Sequence, residues 1–151
     1  MSHELLKIAG LITDNNQLKN ITKIAGGLNS NIQLVEINNS KFIIKKYPAL
    51  DIVWSRLDTE FNFLKLMSEA EIRNVPKAIK KMADFNVGIY SYIEGEPILE
   101  ATDFNVAASA AFIIEINNKM KRFSRKIGSA SDYYSDYAGL VASVERRIIS
   151  L

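Results

Sequence analysis

A double glycine set between short apolar runs commits the N-terminal part of this chain to a sheet. Gly26-Gly27-Leu28-Asn29-Ser30-Asn31 separates the run Ile21–Ala25 from the run Ile32–Ile37, and a third run, Phe42-Ile43-Ile44, closes on Lys45, fourteen residues after Asn31. Runs of this length, rich in isoleucine and bounded by Gly or Asn clusters, predict strands. Asn38-Asn39-Ser40 predicts the tight turn between the second and third, because asparagine tolerates the left-handed backbone region. Pro48 stops the third strand.

Beyond the third strand the period changes from two to that of a helix. Asp51 is the expected N-cap of a helix running to about Ala70. Pro76 to Glu94 predicts a second hairpin, with Lys77–Ala83 and Val87–Ile93 joined through Asp84-Phe85-Asn86. Before the sheet, Leu5, Leu6, Ile8, Leu11 and Ile12 fit a short amphipathic helix ended by Asp14-Asn15-Asn16. Gly95-Glu96-Pro97 breaks the pattern as a linker. Two helices are expected after it: Asp103 to Lys126, striped by Ile113, Ile116, Met120, Phe123 and Ile127, and Asp132 to Ser150, striped by Tyr133, Tyr137, Leu140, Val144, Ile148 and Leu151. The expected fold class is α+β: a five-stranded antiparallel sheet with one packed helix, then a helical segment. The divisions are 1–93, a linker at 94–101, and 102–151.

Composition narrows the function classes. The chain has 151 residues, long enough for a real core. Its 19 basic and 17 acidic residues leave a net charge of +2, too near balance to argue for nucleic acid or an anionic membrane as partner. With no cysteine, disulfides, thiolate metal sites and cysteine nucleophiles are excluded. The longest apolar stretch, Val106 to Ile114, is too short to span a bilayer. Met1-Ser2-His3-Glu4 lacks the halves of a signal peptide. The expectation is a cytoplasmic protein.

Three features could carry chemistry. Gly26 and Gly27 let the backbone approach a phosphate and free N–H groups to donate to it, with Asn29, Ser30 and Asn31 adding short polar side chains; the plainer alternative is a hairpin turn. Lys45 and Lys46 point to opposite faces of their strand, so one of them faces the side that carries the helix. The alternative for Lys45 is a solvated lysine at a strand edge. At about 100° per residue, Glu60 falls inside the stripe of Leu57, Phe61, Leu64 and Met67 on the face turned to the sheet. A carboxylate there needs a cation, and Lys45 is the candidate. Arg56, one turn earlier on the same helix, competes for it, and the two pairings are compatible. A glycine turn, a strand lysine and a helix carboxylate are the parts with which a kinase-type phosphotransferase holds a nucleoside triphosphate. The strand Ile89-Tyr90-Ser91-Tyr92-Ile93 runs into the linker, where backbone groups can meet the edge of a base.

Taken together, these residues resemble the N-terminal lobe of the aminoglycoside phosphotransferase and choline kinase-like family of small-molecule kinases, relatives of the protein kinases. The matching segments are Gly26 to Asn31, Lys41-Phe42-Ile43-Ile44-Lys45, Arg56 to Leu64, Val75-Pro76, and Ile89 to Gly95. They cover about residues 18 to 99, and the likeness extends weakly to the C-terminal helices as the first helices of a larger lobe. The resemblance implies ATP or GTP with magnesium, and transfer of the γ-phosphoryl to a hydroxyl of an aminoglycoside-, choline- or sugar-like acceptor. By the resemblance, Lys45 touches the α- and β-phosphates, Glu60 orients it, and the backbone of Ser91 and Ile93 binds the base.

The chain departs from that family where transfer takes place. The family's catalytic loop carries His-Gly-Asp and then Asn, with a later Asp on the metal. The one histidine here is His3, and Asp103, Asp132 and Asp136 lie outside any such motif. No catalytic or metal-binding residue is therefore assigned. Three accounts follow. The chain is a fragment of a small-molecule kinase, truncated before the catalytic loop. Alternatively it is a nucleotide-binding or regulatory module that pairs through its C-terminal helices with a partner or a second copy of itself. In the third account it is a small α+β scaffold whose Lys45 and Glu60 form only a structural pair.

Overall fold

The structure is a computed structural model that describes residues 3–24, 31–48, 55–126, 136–139 and 141–142. Its described residues form a helix α1 (His3–Ile8), strands β1 (Leu18–Ile24), β2 (Asn31–Ile37) and β3 (Ser40–Lys46), helix α2 (Arg56–Glu69), strands β4 (Ala78–Met82) and β5 (Val87–Ser91), and helix α3 (Asp103–Met120). The strands make one antiparallel sheet in the order β1-β2-β3-β5-β4. The α+β class and the five-stranded sheet are as the sequence predicted.

Turn chemistry sets the sheet. Asn38 takes φ +54° between β2 and β3, and Asn86 takes φ +52° between β4 and β5, each where a short polar side chain tolerates the left-handed region. Asn86 also ties the end of β3: its carbonyl accepts from Tyr47 N–H at 2.9 Å, and its side-chain amide donates to the carbonyls of Tyr47 and Pro48.

The two faces of the sheet are covered differently. On one face Val35, Ile37, Ile44, Met82, Val87 and Ile89 form a core closed by Leu6, Ala9 and Ile12 from α1 and the turn after it. Lys80 Nζ, from the edge strand β4, donates to Ala9 O at 2.8 Å where α1 ends. On the other face lies α2, whose Leu57, Phe61, Leu66 and Met67 are buried.

Helix α2 starts later than expected. Its N-cap is Ser55, whose hydroxyl accepts from Asp58 N–H at 3.1 Å; Asp51, the cap expected from sequence, lies outside the described residues. Leu66 stands on the side of α2 away from the sheet, yet it is buried, because α3 covers that side. Leu66, Met67, Ala70, Ile72 and Met120 form a second core, with Phe112, Ile116 and Phe123 packed on it. The seam of α3 therefore runs through Phe112, and Ile113, expected in the stripe, is exposed. After Met120 the backbone tightens into a 3-10 helix (Lys121–Lys126), where an α-helix had been expected. Of the expected helix from Asp132 to Ser150, residues 137–139 and 141–142 are helical and the rest lie outside the described residues. No helix among the described residues is long and apolar enough to cross a membrane.

Candidate functional site

One row of residues crosses all five strands on the α2 face. Register pairs Ile24 with Ile32, Ile32 with Lys45, Lys45 with Gly88 and Gly88 with Lys81. Directly opposite residues in a sheet project to the same side, so Lys45 shares the face that carries α2 while Lys46 takes the other. The Lys45 ammonium lies 2.5 Å from the Glu60 carboxylate on α2. This is the pairing that the sequence pattern predicted.

The burial differs from the expectation. The Glu60 side chain is 38% exposed and that of Lys45 21%, so the pair sits at the open margin of the α2–sheet contact and not beneath its apolar stripe. The helix turns Phe61 and Leu57 into the contact and leaves Glu60 on its rim. A carboxylate there keeps part of its hydration, which removes most of the cost of burying a charge. A second ion pair, Lys81 with Asp58, fastens the first turn of α2 to the edge strand and draws the Asp58 carboxyl below its ordinary range.

Around Lys45 stands an aromatic group that the sequence analysis did not single out. The ammonium lies 4.9 Å from the centre of the Tyr47 ring. The Tyr47 and Tyr90 hydroxyls meet at 2.7 Å in the interior. Phe61, next to Glu60, packs its ring on Tyr90 with centroids 6.0 Å apart and planes tilted by 52°. Burial raises the pKa of both tyrosines, that of Tyr90 to about 12, and the nearby Glu60 carboxylate adds to both shifts. Both phenols are thus neutral at any ordinary pH. Gly88 permits this packing: a Cβ built there meets Tyr90 Oη at 2.3 Å and two ring carbons within 2.7 Å. A glycine inside a strand is a sequence signal for such a close approach, and it was not used to find this one.

On the β1–β3 side of Lys45 the same face is apolar and half-buried, with Ile24, Ile32, Leu34 and Ile43. Their place in apolar runs was visible in sequence, but which face Lys45 shared was not. Of the residues assigned to the glycine turn, Asn31 opens β2 opposite Lys46 and is exposed, whereas Gly26, Gly27, Asn29 and Ser30 lie outside the described residues. Ser91 closes β5: its N–H donates to Lys77 O at 3.0 Å and its hydroxyl accepts from Lys77 N–H at 2.8 Å. Ile93, two residues on, is exposed just before the connector. Glu94 folds back on Lys41 of β3 at 2.7 Å, which lowers the carboxyl pKa and raises that of the lysine.

Among the described residues no group of three or more acidic or imidazole side chains is placed to hold a metal. What the geometry offers is one cation, fixed by a carboxylate, beside an apolar half-buried surface. Such a surface can take a flat ring, and such a cation can take a phosphate.

No family model matches the chain, and no curated protein sequence matches it. Among solved structures it is similar to choline kinase LicA from Streptococcus pneumoniae, with a TM-score of 0.50 at 16% identity, over 99% of this chain and 58% of that one. The chain thus spans 58% of the length of that choline kinase. At such low identity the likeness speaks for the fold, and it agrees with the sheet order and the packed helix: this is an α+β chain with the fold of a kinase-like N-terminal lobe.

Proposed function

We propose that the chain is the nucleotide-holding lobe of a small-molecule kinase, which transfers the γ-phosphoryl of ATP or GTP to a hydroxyl of an aminoglycoside-, choline- or sugar-like acceptor. The observation that carries this reading is the 2.5 Å pair of Lys45 and Glu60, level with the last β1–β2 pair before residues 25–30. Glu60 holds the Lys45 ammonium in place, and the ammonium faces the α- and β-phosphates. Gly26, Gly27, Asn29, Ser30 and Asn31 supply donors to the same phosphates. Ile24, Ile32, Leu34 and Ile43 form an apolar bed for the base, whose edge meets the backbone at Ser91 and Ile93. With the Ser91 N–H already used within the sheet, Ile93 carries more of that contact.

In the transfer, the acceptor oxygen bonds to the γ-phosphorus as the β–γ bridge breaks, and the hydroxyl proton passes to a base. The residues described here supply neither that base nor ligands for magnesium. In this reading residues 1–93 are the nucleotide lobe, 94–101 the connector and 102–151 the start of a larger lobe that brings both. The similarity to a choline kinase supports it at the level of the fold.

A second reading, a non-catalytic nucleotide-binding module that pairs through its C-terminal helices, draws support from α3. Its Phe104, Val106, Ile113 and Ile114 are all exposed. Both readings require nucleotide binding, so melting with and without Mg-ATP or Mg-GTP tests them together. A rise in melting temperature with at least one nucleotide is expected. No shift with either, in a folded chain, leaves only a scaffold with a structural ion pair. A reading frame that continues beyond Leu151 into a His-Gly-Asp motif separates the first reading from the second.

A further inference from the structure

We propose that Tyr47 and Tyr90 are positioning residues for Lys45 and Glu60: their joined hydroxyls tie the end of the strand that bears the lysine to β5, and the Tyr90 ring carries that tie to Phe61 on the helix that bears the carboxylate. The inference rests on the reading of Lys45 as the phosphate anchor, and it adds the device that holds this anchor still.

The links are continuous. Tyr47 lies two residues beyond Lys45 on the same side of the chain, and its ring supports the ammonium at 4.9 Å. Its N–H is fixed by Asn86 O at 2.9 Å, so the ring starts from a tethered backbone. Its hydroxyl meets that of Tyr90 at 2.7 Å. Tyr90 in turn carries the ring of Phe61, the residue after Glu60. One end of the chain of contacts therefore sets the ammonium and the other sets the helix turn that presents the carboxylate.

Gly88 belongs to the device. It is the register partner of both Lys45 and Lys81, and the Tyr90 ring lies over the gap left by its missing side chain. With any larger residue there, Tyr90 must leave its place between the two lysines. Lys45–Glu60 and Lys81–Asp58 then flank a platform that no longer has its centre. An exposed ion pair on its own is held loosely, since two long side chains have many conformers; a buried hydroxyl pair between rigid rings costs far less entropy to fix.

The test reads Lys45 with and without nucleotide. Lysine acylation by a water-soluble amine reagent, followed by mass spectrometry, gives the labelling rate of Lys45 relative to Lys46, which lies exposed on the opposite face. General loosening raises both rates, whereas loss of positioning raises the ratio. In Tyr47→Phe, Tyr90→Phe and the double variant, which keep the rings, the ratio rises by about two- to tenfold, the worth of one net hydrogen bond, towards that of Glu60→Gln. The dissociation constant for Mg-ATP rises in parallel. Gly88→Ala gives the larger change, and adding Tyr90→Ala to it gives less than the sum of the two, since the clash is then gone. An unchanged ratio in the folded Tyr47→Phe/Tyr90→Phe protein overturns the proposal, whatever the nucleotide result. If the wild type binds no nucleotide but the ratio rises, the positioning stands and the phosphate-anchor reading falls.

Discussion

An ammonium 2.5 Å from a carboxylate that is more than a third exposed contributes little to folding, and much to where the ammonium points. Lys45→Ala is therefore expected to lower stability by only about 0.5 kcal/mol, within the range for exposed ion pairs. Glu60→Ala leaves Lys45 beside Tyr47 with no anion opposite, and about 1 kcal/mol is expected from denaturant melts. Equal and negligible effects of the two changes, on stability and on nucleotide binding alike, contradict the pairing. The tyrosines add a pH dependence. Tyr90 ionises near 10 in the unfolded chain and near 12 in the folded one, so between those values only the unfolded state gives up its proton. Its contribution is whole below pH 10 and is lost as pH rises towards 12; Tyr47, shifted the same way, steepens the loss. Melting temperature against pH is expected to fall over that window in the wild type, and less steeply in Tyr47→Phe/Tyr90→Phe. At this scale the sequence led to Lys45 and Glu60 because a charge inside an apolar stripe demands a partner. It did not lead to Tyr47 and Tyr90, since a buried phenol reads like any apolar residue until its hydroxyl has a partner across forty-three positions.

Turns and caps decide the elements. The end of α2 is a Schellman motif: Ile72 N–H donates to Met67 O at 3.0 Å and Glu71 N–H to Ser68 O at 3.0 Å, while Ile72 and Met67 share a core. The left-handed residue of this motif is Glu71, at φ +57°, where glycine carries no steric penalty. Glu71→Gly is expected to stabilise the chain by about 0.5 to 1 kcal/mol, the steric gain less the entropy of a more flexible unfolded chain. A lower melting temperature contradicts that account. Element existence followed from local chemistry here: Asn38 and Asn86 both stand at φ above +50°, where Asn38-Asn39-Ser40 and Asp84-Phe85-Asn86 had predicted turns. Boundaries and faces did not. Ser55 caps α2 four residues beyond the Asp51 expected from sequence, and Leu66 is buried by a helix that begins nearly forty residues later. A helix packed on two sides has no single apolar stripe to read.

At the scale of the molecule, α1 covers one face of the sheet and α2 covers the other over β4 and β5, whereas α3 touches α2 through Phe112, Ile116 and Met120 and leaves its first half uncovered. Phe104 is 79% exposed and Leu99, just before the helix, 91%. Apolar surface of that kind promotes association. Sedimentation of the 151-residue chain is expected to show self-association that increases with concentration, and the paired change Ile113→Glu/Ile114→Glu is expected to weaken it without altering the melt. A monomer at all concentrations contradicts this. Whether the Lys45 ammonium holds a phosphate is decided by calorimetric titration of Mg-ATP and Mg-GTP into the wild type and into Lys45→Ala. Saturable binding of at least one nucleotide, weakened about tenfold or more by loss of the ammonium, is the predicted result. No binding to the folded wild type, or equal affinity in the two proteins, contradicts it.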